Sequence, residues 1–123
     1  MTAPILFDLP ELPPSVNNLF ITVGKRRIRA PGYTHWAERS GWLLKGQVKP
    51  SQHIEGPFAI SLAFVRPDKR RRDLDNLCKA VIDLAVKNRL VSDDSECQRI
   101  EASWVSDGPP CRVVILPCQR RGE

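Results

Sequence analysis

The chain is poor in the residues that build metal clusters and nucleophile triads. It has two histidines, one tyrosine, one methionine and four cysteines. His35 and His53 stand apart from each other and from every cysteine, so no zinc-ligand spacing exists. Cys78, Cys97, Cys111 and Cys118 form no C-x-x-C pair. There is no glycine-rich phosphate loop and no G-x-S-x-G elbow, which argues against a P-loop NTPase and an α/β-hydrolase. No apolar run approaches the roughly 18 residues of a membrane span. The segment from Thr2 to Pro14 carries Asp8, Glu11 and several prolines, where a secretory leader needs an unbroken apolar stretch. A cytoplasmic protein with reduced thiols is expected, with Cys78 a core residue on the apolar side of a helix.

What is present is a chain of 123 residues, 41% of them apolar, enough for one domain with one core over 1–123. Lysine and arginine total 19 against 14 acids, a net charge of +5. The excess is clustered. Lys25, Arg26, Arg27 and Arg29 form one group, and Arg66, Lys69, Arg70, Arg71 and Arg72 form another. Two such clusters can follow a phosphate backbone. A solvated surface that only aids solubility is the plain alternative, but the second cluster directly abuts acids.

Periodicity places the elements. Ile5–Leu9 reads as a strand, ended by Pro10, Pro13 and Pro14. Phe20–Val23 and Arg26–Arg29 flank Gly24-Lys25 as a hairpin. Pro31-Gly32 punctuates, and Thr34 to Val48 repeats at helical spacing, weakened by Gly41 and Gly46. Phe58–Arg66 alternates as an inner strand. A second helix begins between Asp73 and Asn76, with apolar ridges Leu77, Val81, Leu84 and Cys78, Ile82, Ala85, and Asn88 as a left-handed cap. Gln98–Val105 and Arg112–Leu116 are the last strands, and the tail Arg120–Glu123 is frayed. The expected class is α+β: two main helices on a mixed or antiparallel sheet. Trp36, Trp42 and the Phe58–Phe64 strand are either core or interface, with core the default.

The chemistry concentrates in Arg70-Arg71-Arg72-Asp73-Leu74-Asp75-Asn76-Leu77-Cys78-Lys79. Phosphodiester hydrolysis needs a hard cation to stabilise charge on the phosphate and to acidify water. Mg²⁺ takes one or two carboxylates plus waters and phosphate. Asp73 and Asp75, at i and i+2, share one side of an extended segment. Asp94 or Asp93 can supply a third acid once the chain returns along the helix. Lys79 lies four residues after Asp75, within reach of a scissile phosphate or attacking water. Lys69, Arg70, Arg71 and Arg72, with Arg26 and Arg27 from the first cluster, are candidates to hold flanking phosphates.

Each feature also has an ordinary reading. Asp75 caps a helix, Lys79 pairs with Asp75 or Asp83, and Asp93-Asp94-Ser95 is a turn. Three functional classes stay open on chemistry alone: a metal-dependent nuclease, a non-catalytic basic DNA- or RNA-binding module, and a small protein whose basic face meets an acidic partner.

The string Arg71-Arg72-Asp73-Leu74-Asp75-Asn76-Leu77, then Lys79, then Asp93-Asp94, resembles the RusA family of Holliday junction resolvases of bacteria and their phages. Pro13-Pro14-Ser15-Val16-Asn17-Asn18-Leu19-Phe20 is similar to that family's N-terminal P-P-S-x-N segment, so the resemblance covers essentially the whole chain. It implies a homodimeric, Mg²⁺-dependent endonuclease that cuts four-way DNA junctions, with Mn²⁺ able to substitute. It implies that Asp73, Asp75 and Asp94 are catalytic metal-binding acids and Lys79 an essential lysine. Asp93 and Asn76 are secondary candidates. Family members often carry glycine at the helix exit, where this chain has Arg89.

Overall fold

The computed structural model describes residues 3–119. The frayed tail expected at 120–123 lies outside them. The strands are β1 (Ile5–Leu9), β2 (Phe20–Val23), β3 (Arg26–Arg29), β4 (Phe58–Val65), β5 (Cys97–Val105) and β6 (Cys111–Pro117). The α-helices are α1 (Pro31–Lys45) and α2 (Cys78–Lys87). The fold is α+β, as the periodicity predicts.

The main sheet has the order β1-β6-β4-β5. β1 and β4 each run antiparallel to β6, and β4 runs parallel to β5. β4 alternates because one face is the core: Phe58, Ile60, Leu62 and Phe64 are buried, and Ala59, Ser61, Ala63 and Val65 on the other face are half-buried. Ile5, Phe7 and Leu9 of β1 and Cys111, Val113 and Ile115 of β6 extend that face. In β5, Ile100, Ala102 and Trp104 lie in register with Ile60, Leu62 and Phe64. The helices join the same core: Tyr33, Trp36, Ala37 and Leu44 from α1, and both expected ridges from α2. A parallel strand pair needs a long crossover. Here the crossover from β4 to β5 is the segment that carries the arginines, the acids and Lys79.

Several boundaries differ from expectation. α1 begins at Pro31, not Thr34, because proline fits the first helical position, where its missing N–H has no helical partner. Trp42 is not core. It is 76% exposed, with Lys45 Nζ 5.4 Å from its ring centroid. α2 does not start directly after the acids, since a 3-10 turn, Leu74–Leu77, comes first.

The left-handed residue after α2 is Arg89, at φ 59°, while Asn88 keeps φ −92°. The Asn88 side-chain amide donates to the Leu84 carbonyl at 2.9 Å, so the reversal passes to the next residue. A non-glycine residue held left-handed costs about 1–2 kcal/mol, partly offset by glycine's greater freedom when unfolded. The Arg89 contact in use here, its carbonyl accepting from His53 Nδ1 at 2.6 Å, is backbone and survives substitution. Arg89→Gly is therefore expected to stabilise the fold by up to about 1 kcal/mol. Thermal unfolding checks this, and a lowered melting temperature would contradict it.

The β2–β3 hairpin forms a separate two-stranded sheet in which all eight strand residues are exposed. Gly24, at φ 63°, makes the expected turn. The base is anchored by buried Leu19, whose carbonyl accepts the Ala30 N–H at 2.9 Å, and by Phe20, edge-on to Tyr33 with ring centroids 6.3 Å apart.

Candidate active site

The loop that leaves β4 is held by its own side chains. Arg72 donates to Asp68 through both guanidinium branches, at 2.7 and 3.2 Å, and Asp68 also accepts the Arg70 backbone N–H at 2.9 Å. The Arg72 hydrogen bond, then the Arg70 N–H, draw the Asp68 carboxyl down to about 2, so it stays ionised at any working pH. Arg72 is thus committed to shaping the loop. Lys69, Arg70 and Arg71 are exposed and form no ion pair among the described residues. The hairpin cations differ: Arg27 lies 4.7 Å from the Phe20 ring centroid and Arg29 lies 5.2 Å from that of Tyr33.

Asp73 takes the position before the 3-10 turn with extended backbone, φ −85° and ψ 121°, but its side chain makes no capping hydrogen bond. Asp75 lies within the turn. Both are exposed, and neither carboxylate has a hydrogen-bond or ion-pair partner among the described residues. The capping role that sequence allows is therefore not what occupies these carboxylates. Asp73, Asn76, Arg71 and Arg72 line a cleft of about 350 Å³ together with Ser15 and Asn18 from the N-terminal segment.

Lys79 is the junction between distant parts of the chain. Its Nζ donates to Asp83 Oδ1 at 2.9 Å and to Asp94 Oδ2 at 3.2 Å. It does not pair with Asp75, because the intervening 3-10 turn breaks the α-helical i, i+4 relation between them. The bond to Asp83, reinforced by the one to Asp94, raises the Lys79 pKa and keeps the ammonium charged. Of the adjacent acids, Asp94 turns to Lys79. Asp93 folds back, its Oδ2 accepting the Ser95 N–H at 3.1 Å and the Ser95 hydroxyl, which lowers its pKa.

Tyr33 of α1 is buried, 4% exposed. Burial, and then the neighbouring Asp83, raise its hydroxyl pKa. Asp83 is a partner of Lys79 that sequence reasoning counted only as an ordinary helix pairing. The spacing of Asp83 from Lys79 was visible, but the approach of α1 to the pair was not.

The sequence pattern of the family described as Endodeoxyribonuclease RusA matches residues 11–116. The chain belongs to the RusA family. A relative from Aquifex aeolicus (strain VF5), "Crossover junction endodeoxyribonuclease RusA", is 28% identical over 88 residues, covering 71% of this chain and 69% of the relative. The RusA match takes in both walls of the cleft, the Ser15–Asn18 segment and the crossover acids, and extends through Lys79 and Asp94.

Metal binding in a RusA-family enzyme can be tested against the donors present. Among the described residues no three Asp, Glu, His or Cys side chains stand close enough to cage an ion. Mg²⁺ needs no such cage: it binds one or two carboxylates and keeps its remaining sites for water and substrate phosphate. Two exposed, unpartnered carboxylates two residues apart are hard oxygen donors of that kind. The donor set fits an open Mg²⁺ site and does not fit zinc or copper. Among the described residues no helix is long and apolar enough to cross a membrane.

Proposed function

We propose that this protein is a Mg²⁺-dependent, structure-selective endodeoxyribonuclease that resolves four-way (Holliday) DNA junctions by paired nicking in recombination and repair. The observation that carries this reading is the contact between Lys79 and Asp94, which joins two parts of the family motif across fifteen positions on the crossover that also carries Asp73 and Asp75. The family's endodeoxyribonuclease activity and the name of the Aquifex relative agree with it.

Asp75, together with Asp73 or Asp94, would hold the divalent ion through one or two carboxylates, with Mn²⁺ an acceptable substitute. When bound, such an ion supplies Lewis acidity at phosphate oxygen and lowers the pKa of water. The chain's own groups do the rest. Lys79, kept charged, offers an ammonium to the scissile phosphate. Lys69, Arg70 and Arg71, with Arg26 and Arg27 on the hairpin, hold flanking phosphates, so binding weakens as salt rises. Asn76 and Asn18 line the cleft with side-chain amides that form no hydrogen bond among the described residues. A homodimer presents two equivalent sites to the two strands of a junction. Four unpaired cysteines suit the cytoplasm, where DNA is found.

The test is a synthetic four-way junction beside a linear duplex of the same sequence, with Mg²⁺ and with EDTA. Symmetric nicks in the junction with Mg²⁺ only, and an intact duplex, are expected. Binding without nicking under any divalent ion would favour a non-catalytic nucleic-acid module, and equal cutting of both substrates would overturn the junction preference.

A further inference from the structure

We propose that Asp83 is a positioning residue that fixes the Lys79 ammonium in the active site. The inference rests on the nuclease reading of Lys79. Asp83 sits one turn after Lys79 on α2, where it accepts the ammonium at 2.9 Å. The helix around it is locked into the core through Val81, Ile82, Leu84 and Ala85. The Asp83 side chain is itself only 29% exposed.

Helix stability does not account for the pair. Helices gain more when the acid precedes the base at i, i+4, and here the lysine comes first. Exposed ion pairs also contribute little to stability in general. Positioning does account for it. Lysine has a flexible four-carbon stem, and a single partner leaves much of that freedom. The second partner, Asp94, stands on an exposed 3-10 turn and is a candidate ligand for the divalent ion, so its oxygens have a competing use. Asp83 has none. It is the acceptor that stays with Lys79 when Asp94 is engaged elsewhere, and it leaves the remaining ammonium protons free for phosphate.

The experiment compares wild type, Asp83→Ala and Asp83→Asn by single-turnover cleavage of a pre-bound four-way junction, by junction affinity in EDTA, and by the NMR order parameter of the Lys79 side chain without divalent ion. Asp83→Ala is expected to slow cleavage about tenfold or more, to leave affinity within about twofold, and to lower the Lys79 order parameter. Asp83→Asn, which keeps the volume and one acceptor, is expected to lose less. Introduced into Lys79→Ala, Asp83→Ala should add less than about twofold, because its effect runs through the lysine. Unchanged cleavage, a full additional loss in the Lys79→Ala background, or unfolding of both variants would overturn the proposal. If wild type itself fails to cut, the nuclease reading falls. The order parameter then still decides whether Asp83 holds Lys79.

Discussion

Asp75→Asn is expected to abolish nicking of a four-way junction while junction binding stays intact. Asparagine keeps the size of the side chain and one carbonyl oxygen but removes the charge that holds a divalent cation. Because the Asp75 carboxylate has no hydrogen-bond or ion-pair partner among the described residues, the described fold does not depend on it. The cost to stability should stay within a few tenths of a kcal/mol, the scale of a lost charge at a helix start. The cost to catalysis should be at least about 10³-fold, which corresponds to roughly 4 kcal/mol of barrier. Affinity should be unchanged or slightly higher, because one negative charge facing the phosphates is gone. Gel shift and cleavage on the same labelled junction measure both quantities. Full cleavage by the variant in Mg²⁺ would remove Asp75 from the site.

Lys79→Ala is the second large effect, an expected loss of about 10²–10³-fold in cleavage rate. The two ion pairs that it breaks are solvent-exposed, with Lys79 at 46%, so the stability cost is small. Asp83 and Asp94, no longer separated by a cation, would repel each other, and the loop that carries Asp94 would loosen. Lys79→Arg keeps the charge but replaces a compact ammonium with a planar fork, and is expected to recover only part of the rate. Single-turnover kinetics on a pre-bound junction separate these losses from binding. An unchanged rate in Lys79→Ala would show that the ammonium takes no part in the chemistry.

Local patterns exposed much of this architecture. The alternation in Phe58–Phe64 revealed an inner strand because β4 is flanked on both edges, and the ridges of α2 revealed its buried face because the helix is amphipathic over its whole length. The ends of Ile5–Leu9 and of the hairpin strands were legible because prolines and a glycine turn stop them. Other features were set by tertiary contact. The Asn88 side chain bonds the Leu84 carbonyl, which shifts the left-handed turn to Arg89. Trp42 is exposed although its neighbours Trp36 and Leu44 are buried. At the site, residue type and spacing identified the acids and the lysine. They did not disclose that Arg72 is taken up by Asp68, that Asp93 folds onto Ser95, or that Lys79 turns to Asp83 and Asp94. Those outcomes depend on where the returning chain and α1 come to rest.

The most direct test is anomalous diffraction from Mn²⁺-loaded crystals of the protein with a junction. A peak should appear roughly 2.0–2.2 Å from a carboxylate oxygen of Asp75 and from one of Asp73 or Asp94. No peak there, at a Mn²⁺ concentration that supports nicking, would contradict the account.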